Sequence, residues 1–190
     1  MTDGTLVGGP GRQVALSFAL LAMVAASLVA APGPDGLFGA FLAALMLAIA
    51  TTDSRRYIIP NELTGAAMAL ALVRAGAAGP DADWRAVAWV AFRAAVVTVP
   101  LLALMIGYRR WRGRDGLGLG DIKLAAVAGA WLSLVTVFAV IELATLSALG
   151  AYIVSGAINK RPLKATAFLP FGLFLAPAIW IGWLIEAFLS

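Results

Sequence analysis

Seven apolar runs, spread over nearly the whole chain, set the limits on what this sequence can fold into. They cover residues 14–31, 36–52, 62–78, 86–107, 121–133, 135–156 and 168–189. A helix that crosses a bilayer needs about 20 apolar residues, with a range of roughly 17–25. The fifth run is shorter than that. It is expected to reach only part of the way across, with a tight hairpin near Ser133 leading into the sixth. Hydrophobic residues make up 62% of the chain and charged residues 13%; soluble domains average roughly 45–50% and about 25%. No water-soluble core of this size hides so much apolar surface. The sequence therefore reads as all-α, a polytopic integral membrane helical bundle of about seven transmembrane helices. One membrane domain is expected over residues 1–190, with 14–31 as an extra N-terminal span and 36–189 as a six-helix core.

The positions of Lys and Arg set an orientation. With the N-terminus in the cytoplasm, 11 of the 14 basic residues fall inside: Arg12, Arg55, Arg56, Arg109, Arg110, Arg112, Arg114, Lys123, Lys160, Arg161 and Lys164. The outer loops keep Arg85 beside Asp35, Asp81 and Asp83, while Arg74 and Arg93 lie within spans. "TTDSRRYIIPNE" and "RRWRGRDGLGLGD" then both face the cytoplasm. The first run reads as a retained span. A signal peptide with Val29-Ala30-Ala31 as a weak cleavage site is the alternative, and it leaves the later topology unchanged. The arginines of "RRWRGR" read as an orientation signal that touches lipid headgroups. No nucleic-acid partner is expected.

The chain has no Cys and no His. That removes disulfides, thiolate nucleophiles and Cys-based zinc sites, and with them any Ser-His-Asp triad. No metal and no cofactor are expected. Chemistry falls to carboxylates, Lys, Tyr, hydroxyls or backbone. Two acids stand out. Asp53 ends the second apolar run, ahead of Pro60 and Asn61, and Asn61 is expected to cap the next helix. Asp121 opens the fifth run behind Gly116, Gly118 and Gly120, where missing Cβ atoms allow an extended chain close approach. Each acid has a simple structural role on its own: pairing with Arg55 or Arg56 for Asp53, and favouring a helix N-terminus for Asp121. Together they sit on different spans at one membrane face, where ionisable groups are costly and usually functional. Two carboxylates held close cannot both ionise, so one keeps a proton while the other activates water. A coupled pair titrates as a unit, and the sequence leaves open which acid is the base. Lys123, two residues after Asp121, is expected to tune it. Glu142, inside the sixth run, is a further candidate, either paired with Arg93 or lining a substrate path. The tryptophans, Trp131 and Trp183 included, read as interface anchors.

Three stretches resemble the signatures of the type IV prepilin peptidase family, the Gly-x-Gly-Asp membrane aspartyl proteases. They are "TTDSRRYIIPN", "GLGDIKLAAVAGAWL" and "FLPFGLFLAPA". They occur in the family's order, from Asp53 to Ala178. Leu173 stands where many relatives carry Pro. The resemblance implies an aspartic endopeptidase of the bacterial inner membrane that cuts the basic leader from prepilins or pseudopilins at the cytoplasmic face. Asp53 and Asp121 would be its catalytic pair. Gly118 and Gly120 would shape a strand-like approach to Asp121, with Lys123, Pro60, Asn61, Pro170 and Gly172 in support. Members that also N-methylate carry paired Cys-x-x-Cys motifs, so the resemblance is to the short form of tight-adherence pili, without methyltransferase activity. The expected partners are the prepilin and membrane lipid; the sequence sets no oligomeric state. A proton- or cation-coupled transporter or assembly subunit using the same acids is the main alternative. A presenilin-like protease is a weaker fit, since Thr52 precedes Asp53 and no Pro-Ala-Leu occurs.

Overall fold

The computed structural model describes residues 10–77, 84–113, 118–158 and 169–190. Asp81, Asp83, Arg114, Gly116, Lys160, Arg161, Lys164 and Phe168 lie outside the described residues. Within these residues there are seven helices and no strand: α1 (Pro10–Ala30), α2 (Pro34–Arg56), α3 (Asn61–Ala77), α4 (Trp84–Arg112), α5 (Leu119–Trp131), α6 (Leu134–Ile158) and α7 (Gly172–Leu189). Five of them, α1, α2, α4, α6 and α7, are long and apolar enough to cross a membrane. The chain is a multi-pass helical membrane bundle. The remaining two are shorter. At about 1.5 Å per residue, the 17 residues of α3 and 13 of α5 fall below the roughly 30 Å of a hydrocarbon core. The break between α5 and α6 lies at Ser133, as expected, with the Ser133 carbonyl accepting from the Val137 amide.

α2 runs further than its apolar pattern. Thr51 and Thr52 both turn their hydroxyls back onto the Ala48 carbonyl, at 3.0 and 2.8 Å. Their polarity is satisfied inside the helix, so the helix continues through them. Asp53 therefore sits in the last turn of α2, not beyond its end. Tyr57 then stops the helix in the left-handed conformation (φ 54°, ψ 35°), with its amide donating to the Asp53 carbonyl.

α2, α5 and α7 supply the densest core. Leu42, Met46 and Ile49 of α2, Leu124, Val127 and Trp131 of α5, and Leu175, Ile179 and Trp183 of α7 are all buried. α2 packs against α1, α3 and α7, while α5 packs against α3, α4, α6 and α7. The outer helices instead expose large apolar side chains, among them Phe18 and Leu21 of α1, Trp89 and Phe92 of α4, and Val135 and Phe138 of α6. Lipid accepts such a surface at no cost, so close helix contact has to come from small residues and van der Waals fit. Gly39 shows this: a Cβ there would overlap the Trp183 indole.

Trp131 and Trp183 are thus core residues and not interface anchors. The Trp131 indole donates to the Ala67 carbonyl of α3 at 2.9 Å, and Trp180 donates to Ser27 of α1 at 3.0 Å. Polar groups also tie the helices at the end of the bundle where α5 stops. Arg74 of α3 pairs with Asp35 of α2 at 3.0 Å and lies over the Trp131 ring. Arg93 of α4 donates to the Ala130 carbonyl, one of those left without a partner at the C-terminus of α5. Glu186 of α7 accepts from the Ser133 amide at 2.8 Å. Replacing Gly39 by Ala forces Trp183 out of this packing and is expected to cost about 1–3 kcal/mol, measured as a lower unfolding midpoint in detergent.

Candidate active site

The site lies at the opposite end, where α2 finishes and α5 and α7 begin. Asp53 is 4% exposed. Arg55 and Arg56 are exposed, and the Asp53 carboxylate turns instead to the first turn of α7. Its Oδ2 accepts from the Leu173 backbone amide at 3.0 Å, a donor shared with the Pro170 carbonyl at 3.2 Å. Pro170 and Gly172 act here through the chain path they impose. A Cβ on Gly172 would lie 2.9 Å from Asp53 Oδ2 and 2.8 Å from Ile59 Cδ1, so α7 can approach the acid only with glycine at that position.

Asp121 is the third residue of α5, half-buried. Its carboxylate folds back on the preceding chain, where a Cβ on Gly118 would meet Asp121 Oδ2 at 3.0 Å, and the Gly118 amide bonds to it. This is the reach-back of an acidic side chain to the residue that starts its own helix. Gly118 is extended (φ −74°, ψ 138°), as the expected strand-like approach requires. Gly120 is not extended: it is already helical. Its missing Cβ makes room for Ile59, whose own Cβ would otherwise be 3.2 Å away.

Ile59 is therefore the side chain that links the starts of α5 and α7, 9% exposed and wedged between Gly120 of α5 and Gly172 of α7. Gly172, where a Cβ would lie 2.9 Å from Asp53 Oδ2, and Gly120, next to Asp121, both pack on Ile59, which places the two acids at the same end of the bundle. The sequence reading missed Ile59, although a pair of isoleucines ahead of Pro60 at a charged helix end was a visible signal. It also missed the Leu173 amide, since a backbone donor leaves no mark on residue type.

Other expected roles change. Asn61 does not cap α3. The Pro60 carbonyl accepts from the Thr64 amide, which makes Pro60 the capping position and Asn61 the first helical residue. Freed from capping, Asn61 Oδ1 accepts from Lys123 Nζ at 2.7 Å. Lys123 thus joins α5 to α3 and does not engage Asp121, because residues two apart on a helix do not share a face. Glu142 is on the exposed side of α6, and Arg93 is held by Ala130 on α5, so the two form no pair. A groove of about 290 Å³ runs between α3 and α5 from this end, lined by Asn61, Thr64, Gly65, Met68, Lys123, Ala126 and Val127.

Residues 40–155 match the type IV leader peptidase family. The chain belongs to that family. The match takes in both acids, Ile59 and the Gly-x-Gly-Asp turn, and α7 lies beyond it. Among relatives of this type IV leader peptidase family chain is a prepilin leader peptidase/N-methyltransferase of Xanthomonas campestris pv. campestris. It is 27% identical over 177 residues, which cover 90% of this chain and 60% of the relative. A protein of the same name from Aeromonas hydrophila is 30% identical over 173 residues, covering 89% and 56%. The leader peptidase HopD of Escherichia coli is 42% identical over 79 residues, covering 40% and 50%. The chain thus spans between half and three-fifths of the length of these relatives. No solved structure matches it.

The crowding around Gly172 makes a direct test of this geometry. Gly172→Ala has to displace Ile59 or the Asp53 carboxylate and is expected to cost about 1–3 kcal/mol. Gly65→Ala, where no atom lies within 4 Å of the added Cβ, is expected to cost nothing. Unfolding midpoints of the two variants against the parent protein check both.

Proposed function

We propose that this chain is an aspartic endopeptidase of the bacterial inner membrane. It removes the basic leader of type IV prepilins or pseudopilins at the cytoplasmic face, with Asp53 and Asp121 as the catalytic pair. The observation that carries the reading is the convergence of two acids, 68 positions apart in sequence, on one end of an apolar bundle, where Ile59 packs both against Gly172 beside Asp53 and against Gly120 beside Asp121. Family membership and the names of the relatives support the substrate class. The excess of Lys and Arg at the same end supports a cytoplasmic location for the site. We assign the peptidase core to residues 36–189, with α1 as an additional span.

Two close carboxylates suffice to hydrolyse a peptide bond. One takes a proton from water while the other, protonated, donates to the scissile carbonyl. The substrate's apolar segment stays in the bilayer and its basic leader in the cytoplasm. The extended backbone at Gly118 and the groove between α3 and α5 give the leader junction a way in to the acids. Gly118, Gly120, Gly172, Pro60 and Pro170 shape this approach, and Lys123 with Asn61 edges it. These 190 residues contain no cysteine, and the activity assigned to them is leader removal without N-methylation.

Asp53→Asn and Asp121→Asn are each expected to reduce cleavage of a basic-leader prepilin by at least about 100-fold. Both variants should keep the parent's helical content and unfolding midpoint. Retained turnover in either removes the dyad. Proton or ion flux in liposomes with no peptide cleavage points to the transporter reading instead.

A further inference from the structure

We propose that the groove between α3 and α5 seats the prepilin's apolar segment, the part that follows the scissile bond, and that Gly65 keeps this seat open. The inference rests on the endopeptidase reading and adds where the membrane part of the substrate lies.

The helices that wall the groove are the two that are too short to span a bilayer, 17 residues in α3 and 13 in α5. Its volume of about 290 Å³ admits side chains of a neighbouring helix, not a whole helix of roughly 10–12 Å diameter. Its most polar lining lies at one end, where Lys123 donates to Asn61 at 2.7 Å. Lys123 follows Asp121 by two residues, about 3 Å along the axis of α5, so this end is level with the acid. Further along, the lining is Gly65, Met68, Ala126 and Val127, with Thr64, whose hydroxyl is taken by the Pro60 and Asn61 carbonyls. The groove thus passes from polar to apolar as it leaves the acids.

The outer surface of α3 beside it has an unusual make-up. After Asn61 and Glu62, the exposed residues in its first half are Gly65, Ala66 and Ala69, and no large apolar side chain is exposed before Val73. α1, in contrast, exposes Val14, Phe18 and Leu21. Lipid favours neither pattern, whereas a second helix packs closely only on small residues. Glycine inside a helix is costly relative to alanine, yet a Cβ on Gly65 would meet no atom within 4 Å. No neighbour in the fold requires glycine there, so the open space serves a molecule from outside.

Lys123 selects which part of the prepilin enters. Its ammonium, held by the neutral amide of Asn61, puts a positive charge at the groove mouth and repels the Lys and Arg of a basic leader. The uncharged residues after the scissile bond meet no such penalty. The leader is turned out toward the cytoplasm and the apolar segment is laid along α3, which gives the substrate one direction past the acids.

The test places Gly65→Leu, and Gly150→Leu as control, in the full chain. Gly150, on α6, also has open space at its Cβ position but does not line the groove. Two substrates are compared: a basic-leader prepilin, and a soluble peptide that carries the leader and scissile junction without the apolar segment. Gly65→Leu is expected to lower kcat/KM on the prepilin by at least about tenfold, mainly through KM, and to leave the peptide unaffected. Gly150→Leu is expected to change neither. Equal loss on both substrates, or no loss on the prepilin, overturns the inference; the second result leaves the groove to lipid chains. Absence of prepilin cleavage by the parent protein overturns the endopeptidase reading instead. A second measurement needs no turnover. The chain has no cysteine of its own, so Gly65→Cys can be combined with Asp53→Asn and mixed with prepilins that carry one cysteine. A cysteine in the apolar segment just past the scissile bond is expected to form a disulfide with position 65, and a cysteine in the leader is not. Bridging from the leader alone, or from neither position, overturns the inference.

Discussion

A carboxylate at the carbonyl end of one apolar helix is held by the amide that opens another. That contact, Leu173 to Asp53, fixes where α7 begins relative to where α2 ends. Around it, nothing larger than glycine fits at position 172, and Ile59 fills the space that Gly120 and Gly172 leave open. The approach of α5 follows, since Ile59 packs against its second residue and Asp121 is its third. One interhelical hydrogen bond and two missing methyl groups thus set the relation between two acids that no local pattern brings together.

The far end of the bundle supplies the complementary constraint. α5 is too short to cross a bilayer and has to finish inside the protein. Its terminal carbonyl at Ala130 is taken by Arg93, and the amide of the following turn at Ser133 by Glu186. Unsatisfied backbone groups in an apolar medium cost several kcal/mol each by transfer estimates, roughly 2–7, so these two charged side chains allow a helix to end at that depth. Because α5 is tied at its C-terminus, Asp121 at its N-terminus is held at a defined level. Arg93 and Glu186 therefore belong to the architecture that holds α5 in place.

Much of this was legible in residue order. Apolar run lengths gave the helices, the Ser133 break and the short α5, because burial in lipid imposes a composition that a single sequence displays directly. The two acids stood out for the same reason: charge is rare in such a medium. Contacts between helices were less visible. Thr51 and Thr52 look like a helix end but satisfy themselves on Ala48. Trp131 and Trp183 look like interface residues but fill the core, since an indole N–H can find a carbonyl inside, as Trp131 does at Ala67. Asn61 looks like a cap and instead receives Lys123. Glu142 and Arg93 look like a pair, yet one faces outward and the other reaches α5. In each case a polar group had several possible partners, and tertiary packing chose among them.

The central claim is spatial: positions 53 and 121 share one site. The chain has no native cysteine, so Asp53→Cys and Asp121→Cys can be combined and treated in membranes with a short bifunctional thiol reagent. Rapid bridging within a single chain, absent from either single variant, is the expected result. Two thiols that each react with a monofunctional reagent but are never bridged in the folded protein would contradict the account.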